Sequence, residues 1–139
     1  ASRQPDGREL GIWCLDTGGA DIVTGEGIGY TLKDSVPFIL RRREGRTAAF
    51  VTVYDLTGDG TGIAGVERMP LQVAGAAAEE CDALALRIRT GGASDLVVAL
   101  DCRPAPAEPP LLAGRPVNRI LVERVPASEA LRREAAPAP

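Results

Sequence analysis

Residues 84–101 read Leu84-Ala85-Leu86-Arg87-Ile88-Arg89-Thr90-Gly91-Gly92-Ala93-Ser94-Asp95-Leu96-Val97-Val98-Ala99-Leu100-Asp101. In the first half Leu84, Leu86 and Ile88 alternate with Ala85, Arg87 and Arg89. This is the period-two pattern of a strand with one face on a core. Thr90-Gly91-Gly92-Ala93 turns the chain. Leu96, Val98 and Leu100 then alternate with Val97, Ala99 and Asp101. The two runs predict a β-hairpin.

Working outward, short strand patterns recur between Gly, Pro and Asp turns. Residues 9–15 and 20–24 read as short strands. Val36 to Arg43 and Arg46 to Asp55 read as a hairpin about Glu44-Gly45. Ile63 to Val73 is extended, with Pro70 implying an edge or a bulge. Ala74 to Glu80 reads as a flexible loop. Arg103 to Pro110 is a proline-rich, extended bridge. Val117 to Val125 is a last strand, and Ser128 is placed to cap a short helix through Leu131 to Glu134. The expected fold is all-β, an antiparallel β-sandwich of about seven or eight short strands with a short C-terminal helix. Residues 1–125 would form the sandwich domain, with 126–139 as short helix and disordered tail.

With 139 residues the chain is sized for one domain. There is no histidine. That excludes Ser-His-Asp and Cys-His nucleophilic sites, histidine metal sites, and imidazole acid–base chemistry near pH 7. A net charge of -3 argues against a non-specific nucleic-acid binder, which needs a basic face. No apolar run approaches the roughly 20 residues that span a bilayer. The opening Ala1-Ser2-Arg3, without Met, reads as a processed form, an engineered form or an excised piece of a longer protein. Cys14, Cys81 and Cys102 have no CxxC spacing, which disfavours zinc. They read as buried thiols or as one disulfide with a thiol left over. No cofactor or metal is expected.

Four motifs bear on function. Asp55-Leu56-Thr57-Gly58-Asp59-Gly60 starts like a calcium loop, but its twelfth position is Val66 rather than Glu. A β-turn loop is the simpler reading. Gly25-Glu26-Gly27-Ile28-Gly29 has phosphate-loop flavour without the third glycine or the following helix, and reads as a bend between strands. Arg41, Arg42, Arg43 and Arg46 surround Glu44-Gly45. They either hold an acidic sugar or phosphate or form a solvated hairpin tip. Arg87 and Arg89 form a second same-face pair. Glu67, Glu79, Glu80 and Asp95 show no spacing that would pair two carboxylates for acid–base work. Tyr30 and Tyr54 are acids only with a perturbed pKa.

Val36-Pro37-Phe38-Ile39-Leu40-Arg41-Arg42-Arg43-Glu44-Gly45-Arg46, leading into Ala49-Phe50-Val51-Thr52-Val53-Tyr54, resembles the C-terminal β-sandwich of heparinase II/III-like, alginate-lyase-like polysaccharide lyases. Val66-Glu67-Arg68, Ala85-Leu86-Arg87-Ile88 and Asp95-Leu96-Val97-Val98 extend the likeness over roughly residues 9–101. The resemblance implies a non-catalytic accessory sandwich of an extracellular or periplasmic protein, packed on a preceding helical catalytic domain. It implies contact with an acidic polysaccharide, for which Arg41, Arg43 and Arg46 are the candidate ligand-binding residues. No lyase catalytic residue maps onto this chain. The alternative is a stand-alone protein-interaction or surface sandwich that binds a partner through exposed edge strands. A small enzyme using carboxylate or tyrosine chemistry is the remaining reading.

Overall fold

The computed structural model describes residues 2–3, 9–15, 19–31, 33–59, 62–79, 81–104 and 108–127. These form β1 (Ser2–Arg3), β2 (Glu9–Cys14), β3 (Asp21–Ile28), β4 (Ser35–Arg42), β5 (Thr52–Gly58), β6 (Ile63–Met69), β7 (Gln72–Val73), β8 (Ala76–Ala77), β9 (Ala83–Thr90), β10 (Ser94–Asp101), β11 (Leu111–Leu112), β12 (Arg115–Pro116) and β13 (Ile120–Pro126). Eight of these strands have six residues or more, as the alternation implies. Among the described residues every pairing between two of these strands is antiparallel, and the fold is a β-sandwich. The helix expected at 128–134 lies outside the described residues.

The 84–101 hairpin forms as read, with Val98 opposite Leu86 and Ala99 opposite Ala85. It is the centre of a four-stranded sheet ordered β13-β10-β9-β6. A second, small sheet, β12-β11-β7-β8, forms the opposing layer. Its two hairpins are near copies of each other. Ala74-Gly75 and Ala113-Gly114 both turn with positive φ, at 49° and 78°, and 49° and 77°. Two successive positive-φ residues are the signature of a type I′ hairpin, where glycine removes the steric cost at the second position. Each hairpin is closed by an equivalent bond, Ala78 N–H to the Leu71 carbonyl at 2.9 Å and Val117 N–H to the Pro110 carbonyl at 2.8 Å. The segment expected to be a flexible loop therefore supplies the turn and one strand, β8, of an ordered sheet. The small sheet crosses one face of the large one, and the core lies between them: Leu71, Ala83, Ala85, Val97, Ala99, Leu112, Val117 and Val125.

That arrangement reverses the face suggested by the leucines. The core cluster uses the Ala83/Ala85 and Val97/Ala99 side of the hairpin. Small residues there let short hairpins approach closely. Of the other face, Leu86 is buried, while Leu84, Ile88, Leu96, Val98 and Leu100 are half-buried. Ile120 and Val122 on the same face are exposed. Arg68 ties this side to the end of β2, donating to the Leu15 carbonyl at 3.1 Å.

The proline-rich bridge is stapled to the large sheet by charge. Asp101 accepts from Arg103 through its backbone N–H at 3.1 Å and from Nε at 3.0 Å. Arg103 Nη2 also bonds the Glu108 carbonyl at 2.6 Å. Arg119, held at positive φ, donates to the carbonyls of Arg103 and Pro104.

Pairing at the N-terminal end departs from expectation. β4 does not pair with β5. It pairs with β3 over eight residues, from Asp21 opposite Arg42 to Ile28 opposite Ser35. β5 instead pairs with β2, with Trp13 opposite Val53. The loop at 29–34 explains the preference. Gly29 N–H bonds the Asp34 carbonyl, Asp34 N–H bonds the Thr31 carbonyl, and Asp34 Oδ2 accepts from Thr31 N–H. This compact turn closes the β3–β4 ribbon locally, leaving 43–51 as a connection.

Candidate functional site

Arg87 and Arg89, the second same-face arginine pair, are both engaged with carboxylates of the fold. Arg87 is buried and bonds the buried Asp95 carboxylate, with Nε and Nη2 each 2.9 Å from Oδ2. Arg89 pairs with Glu67 at 2.9 Å. The Arg87/Arg89 face is thus the polar end of the core-facing surface of the large sheet.

The calcium-like motif, expected to be a β-turn loop, begins as strand: Asp55 to Gly58 are the second half of β5, organised by the Asp55 carboxylate. Asp55 in β5 is buried and accepts from Thr57 Oγ1 at 2.7 Å, Thr57 N–H at 3.0 Å and Ile63 N–H at 3.0 Å. One carboxylate thereby holds the end of β5 to the start of β6. The Thr57 hydroxyl and N–H, reinforced by Ile63 N–H, hold the Asp55 carboxyl below its usual pKa. The Arg103 side chain does the same for Asp101. Among the described residues no group of three or more His, Cys, Asp or Glu side chains is placed to hold a metal. Cys14 is half-buried, Cys81 and Cys102 are exposed, and all three are free thiols. Cys102 is exposed because the chain leaves β10 there for the proline-rich bridge.

The depressed carboxyls set a pH dependence. A carboxyl with a folded pKa below its unfolded value contributes stability above the unfolded pKa and loses it as pH falls through the folded one. The chain is expected to keep a constant thermal midpoint from pH 7 down to about 5, then lose stability below the usual carboxylate range of about 4. Asp55→Asn and Asp101→Asn should each flatten that acid limb, as followed by circular dichroism.

Among the described residues, large apolar side chains also face solvent. The β3–β4 ribbon presents Ile22, Val23, Ile28, Val36, Phe38, Ile39 and Leu40 to solvent, with Leu40 54% and Ile28 73% exposed. One face carries Val23, Val36, Phe38 and Leu40, and the other carries Ile22, Ile28 and Ile39. Register explains the glycines: Gly25 lies directly opposite Phe38, and a Cβ there would come within 2.8 Å of the ring. Gly25 and Gly27 are strand residues over which Phe38 lies, not a bend.

The arginines gather at the base of this ribbon. Arg41 is turned inward, donating to Thr52 Oγ1 with its guanidinium 5.1 Å from the Phe50 ring centroid. Arg42, on the opposite face, makes an exposed ion pair with Glu44 at 3.4 Å. Arg43 is half-buried and Arg46 is exposed. Tyr30 is fully exposed near the ribbon tip and Tyr54 is exposed on β5. The strand read at 20–24 continues through Gly25 and Gly27 to Ile28, and that continuation and the ring-over-glycine packing are not legible in the sequence because the two glycines interrupt the apolar alternation. The usable signal was Ile22-Val23 and Ile28, apolar on both parities of one run.

Compared with protein-family models, with curated proteins and with solved structures, the chain finds no match.

Proposed function

We propose that this chain is a non-catalytic contact module that binds another protein through the β3–β4 ribbon, by strand addition. The observation that carries this reading is the ribbon itself: two eight-residue strands, apolar on both faces, that form a two-stranded sheet among the described residues. Isolated two-stranded ribbons are marginal in water, and exposed apolar surface of this extent marks an interaction site. The occupant that fits is an extended protein strand, which supplies backbone hydrogen bonds and apolar side chains together.

The accessory-sandwich reading, with a preceding helical catalytic domain and an acidic polysaccharide as partners, is supported by the strand motifs and by Arg43 and Arg46 at the ribbon base. It ranks second because Arg41, the third arginine of that set, is engaged with Thr52 and Phe50.

Two measurements separate them. Val36→Ser with Leu40→Ser should leave stability within about 0.5 kcal/mol per site, since both side chains already face water. A larger loss would make the ribbon part of the molecule's own core and overturn the contact reading. Binding to alginate and heparan fragments should be absent at physiological salt. Retention abolished by Arg43→Ala and Arg46→Ala would overturn it in favour of the glycan reading, and release of an unsaturated uronate by residues 1–139 would overturn both, since each is non-catalytic.

A further inference from the structure

The hydrogen-bond phase of the ribbon identifies which edge is open. In an antiparallel ladder, directly opposed residues alternate between pairs that exchange both backbone bonds and pairs that exchange none. Pro37 has no N–H, yet it sits opposite Glu26 within an unbroken run of eight pairs. The Glu26/Pro37 pair must therefore be a non-bonded one. The bonded pairs are Asp21/Arg42, Val23/Leu40, Gly25/Phe38 and Gly27/Val36. The backbone groups pointing away from the ribbon are those of Ile22, Thr24, Glu26 and Ile28 on β3, and of Ser35, Pro37, Ile39 and Arg41 on β4.

The two edges are not equivalent. On β4 the outward donor at Pro37 is missing, and the Arg41 side chain turns to Thr52 and Phe50. Proline on an outer edge is a device that blocks further strand pairing. The β3 edge keeps a complete outward set from Ile22 to Ile28, without proline or bulge, and no strand pairs with it among the described residues.

Resting on the contact-module reading, we propose that the strand added to β3 is β3 of a second copy of this chain, in a two-fold dimer whose sheet runs β4-β3-β3-β4. The occupant must be extended and apolar on both faces, and β3 has that character. One self-pairing register matches its residues. With Gly25 on the two-fold axis, Ile22 lies opposite Ile28 of the other copy and Thr24 opposite Glu26. The four outward positions then form four bonded pairs, about eight backbone hydrogen bonds. The alternatives fit less well. Placing Glu26 on the axis sets like charges face to face, and placing Thr24 there sets Ile22 against Glu26. The self-paired sheet has four strands, past the point at which a sheet is independently stable. It also joins the Val23, Val36, Phe38 and Leu40 faces of both copies into one surface. Such an interface is isologous and closes at two copies, since β4 is blocked.

The test is sedimentation velocity on the full 139-residue chain from about 1 μM to about 1 mM. Thr24→Pro removes one outward N–H from β3 without touching a bond to β4. Ile39→Pro does the same on the outer edge of β4. The unmodified chain and Ile39→Pro should dimerise alike, and Thr24→Pro should dimerise about 100-fold more weakly. Amide exchange on the unmodified chain gives an independent readout that needs no variant to fold. Ile22, Thr24, Glu26 and Ile28 should gain protection with concentration, and Ile39 and Arg41 should not. A monomer at every concentration, or a dimer unaffected by Thr24→Pro, would overturn the proposal while leaving the contact reading standing. That reading fails instead if Val36→Ser with Leu40→Ser unfolds the chain.

Discussion

Asp95→Ala is expected to destabilise the protein by about 3–5 kcal/mol, the cost of leaving one partner of a buried ion pair unmatched. The Arg87 guanidinium has 6% and the Asp95 carboxylate 3% of its side-chain surface exposed. Two nitrogens of Arg87 converge on Asp95 Oδ2 at 2.9 Å. Arg87→Ala should cost a similar amount for the converse reason. Replacing both, as Arg87→Met with Asp95→Leu, should recover much of the loss, because the desolvation penalty disappears with the charges. Urea unfolding of the three variants checks this. Single variants that lose less than about 1 kcal/mol would show the pair to be as accessible as a surface salt bridge.

The second large effect is expected at Leu112, in the small sheet. Leu112→Ala should cost about 2–5 kcal/mol, since the residue is buried in the core cluster with Leu71, Val97 and Val117. Ile120→Ala removes nearly as much hydrocarbon from β13, but Ile120 is 66% exposed. It should cost under about 1 kcal/mol. The contrast distinguishes the two faces of the large sheet. Equal losses at both positions would mean that the leucine face is packed as firmly as the alanine face. Thermal unfolding of the two variants side by side is sufficient.

These expectations also mark where sequence reading reached its limit. The 84–101 hairpin was legible because strand periodicity and a Gly-Gly turn are local signals, and its register depends on little else. Alternation places Arg87 on one face with Arg89 without saying which face that is. Nothing within that run shows that the Ala85 face would be the core face, since its leucines all fall on the opposite parity, with Leu86, and only valine stands on both. The choice falls to the two Ala-Gly hairpins, which cross one side and bring Leu71, Leu112 and Val117 with them. Once that side is covered, Arg87 is buried and needs Asp95.

The same holds for strand partners. Residues 36–43 read correctly as a strand, but alternation carries no information about what lies beside it. The ribbon's partner was set by the Asp34-centred turn and by a phenylalanine lying over two glycines, each a pairing of residues from different strands. The contact surface followed from that pairing. Arg41, Arg43 and Arg46 were visible as a cluster, whereas the open edge of β3 exists only because Pro37 fixes the phase of the ladder.

By itself the sequence determined that the protein is built of short antiparallel strands, that histidine chemistry is absent, and that Asp-Gly, Gly-Gly and Pro segments separate the strands. Only the tertiary structure decided which face is buried, which strands pair, and which edge and apolar surface remain open. Period-two alternation is a property of one strand, whereas burial and pairing are properties of two surfaces meeting across a long stretch of chain.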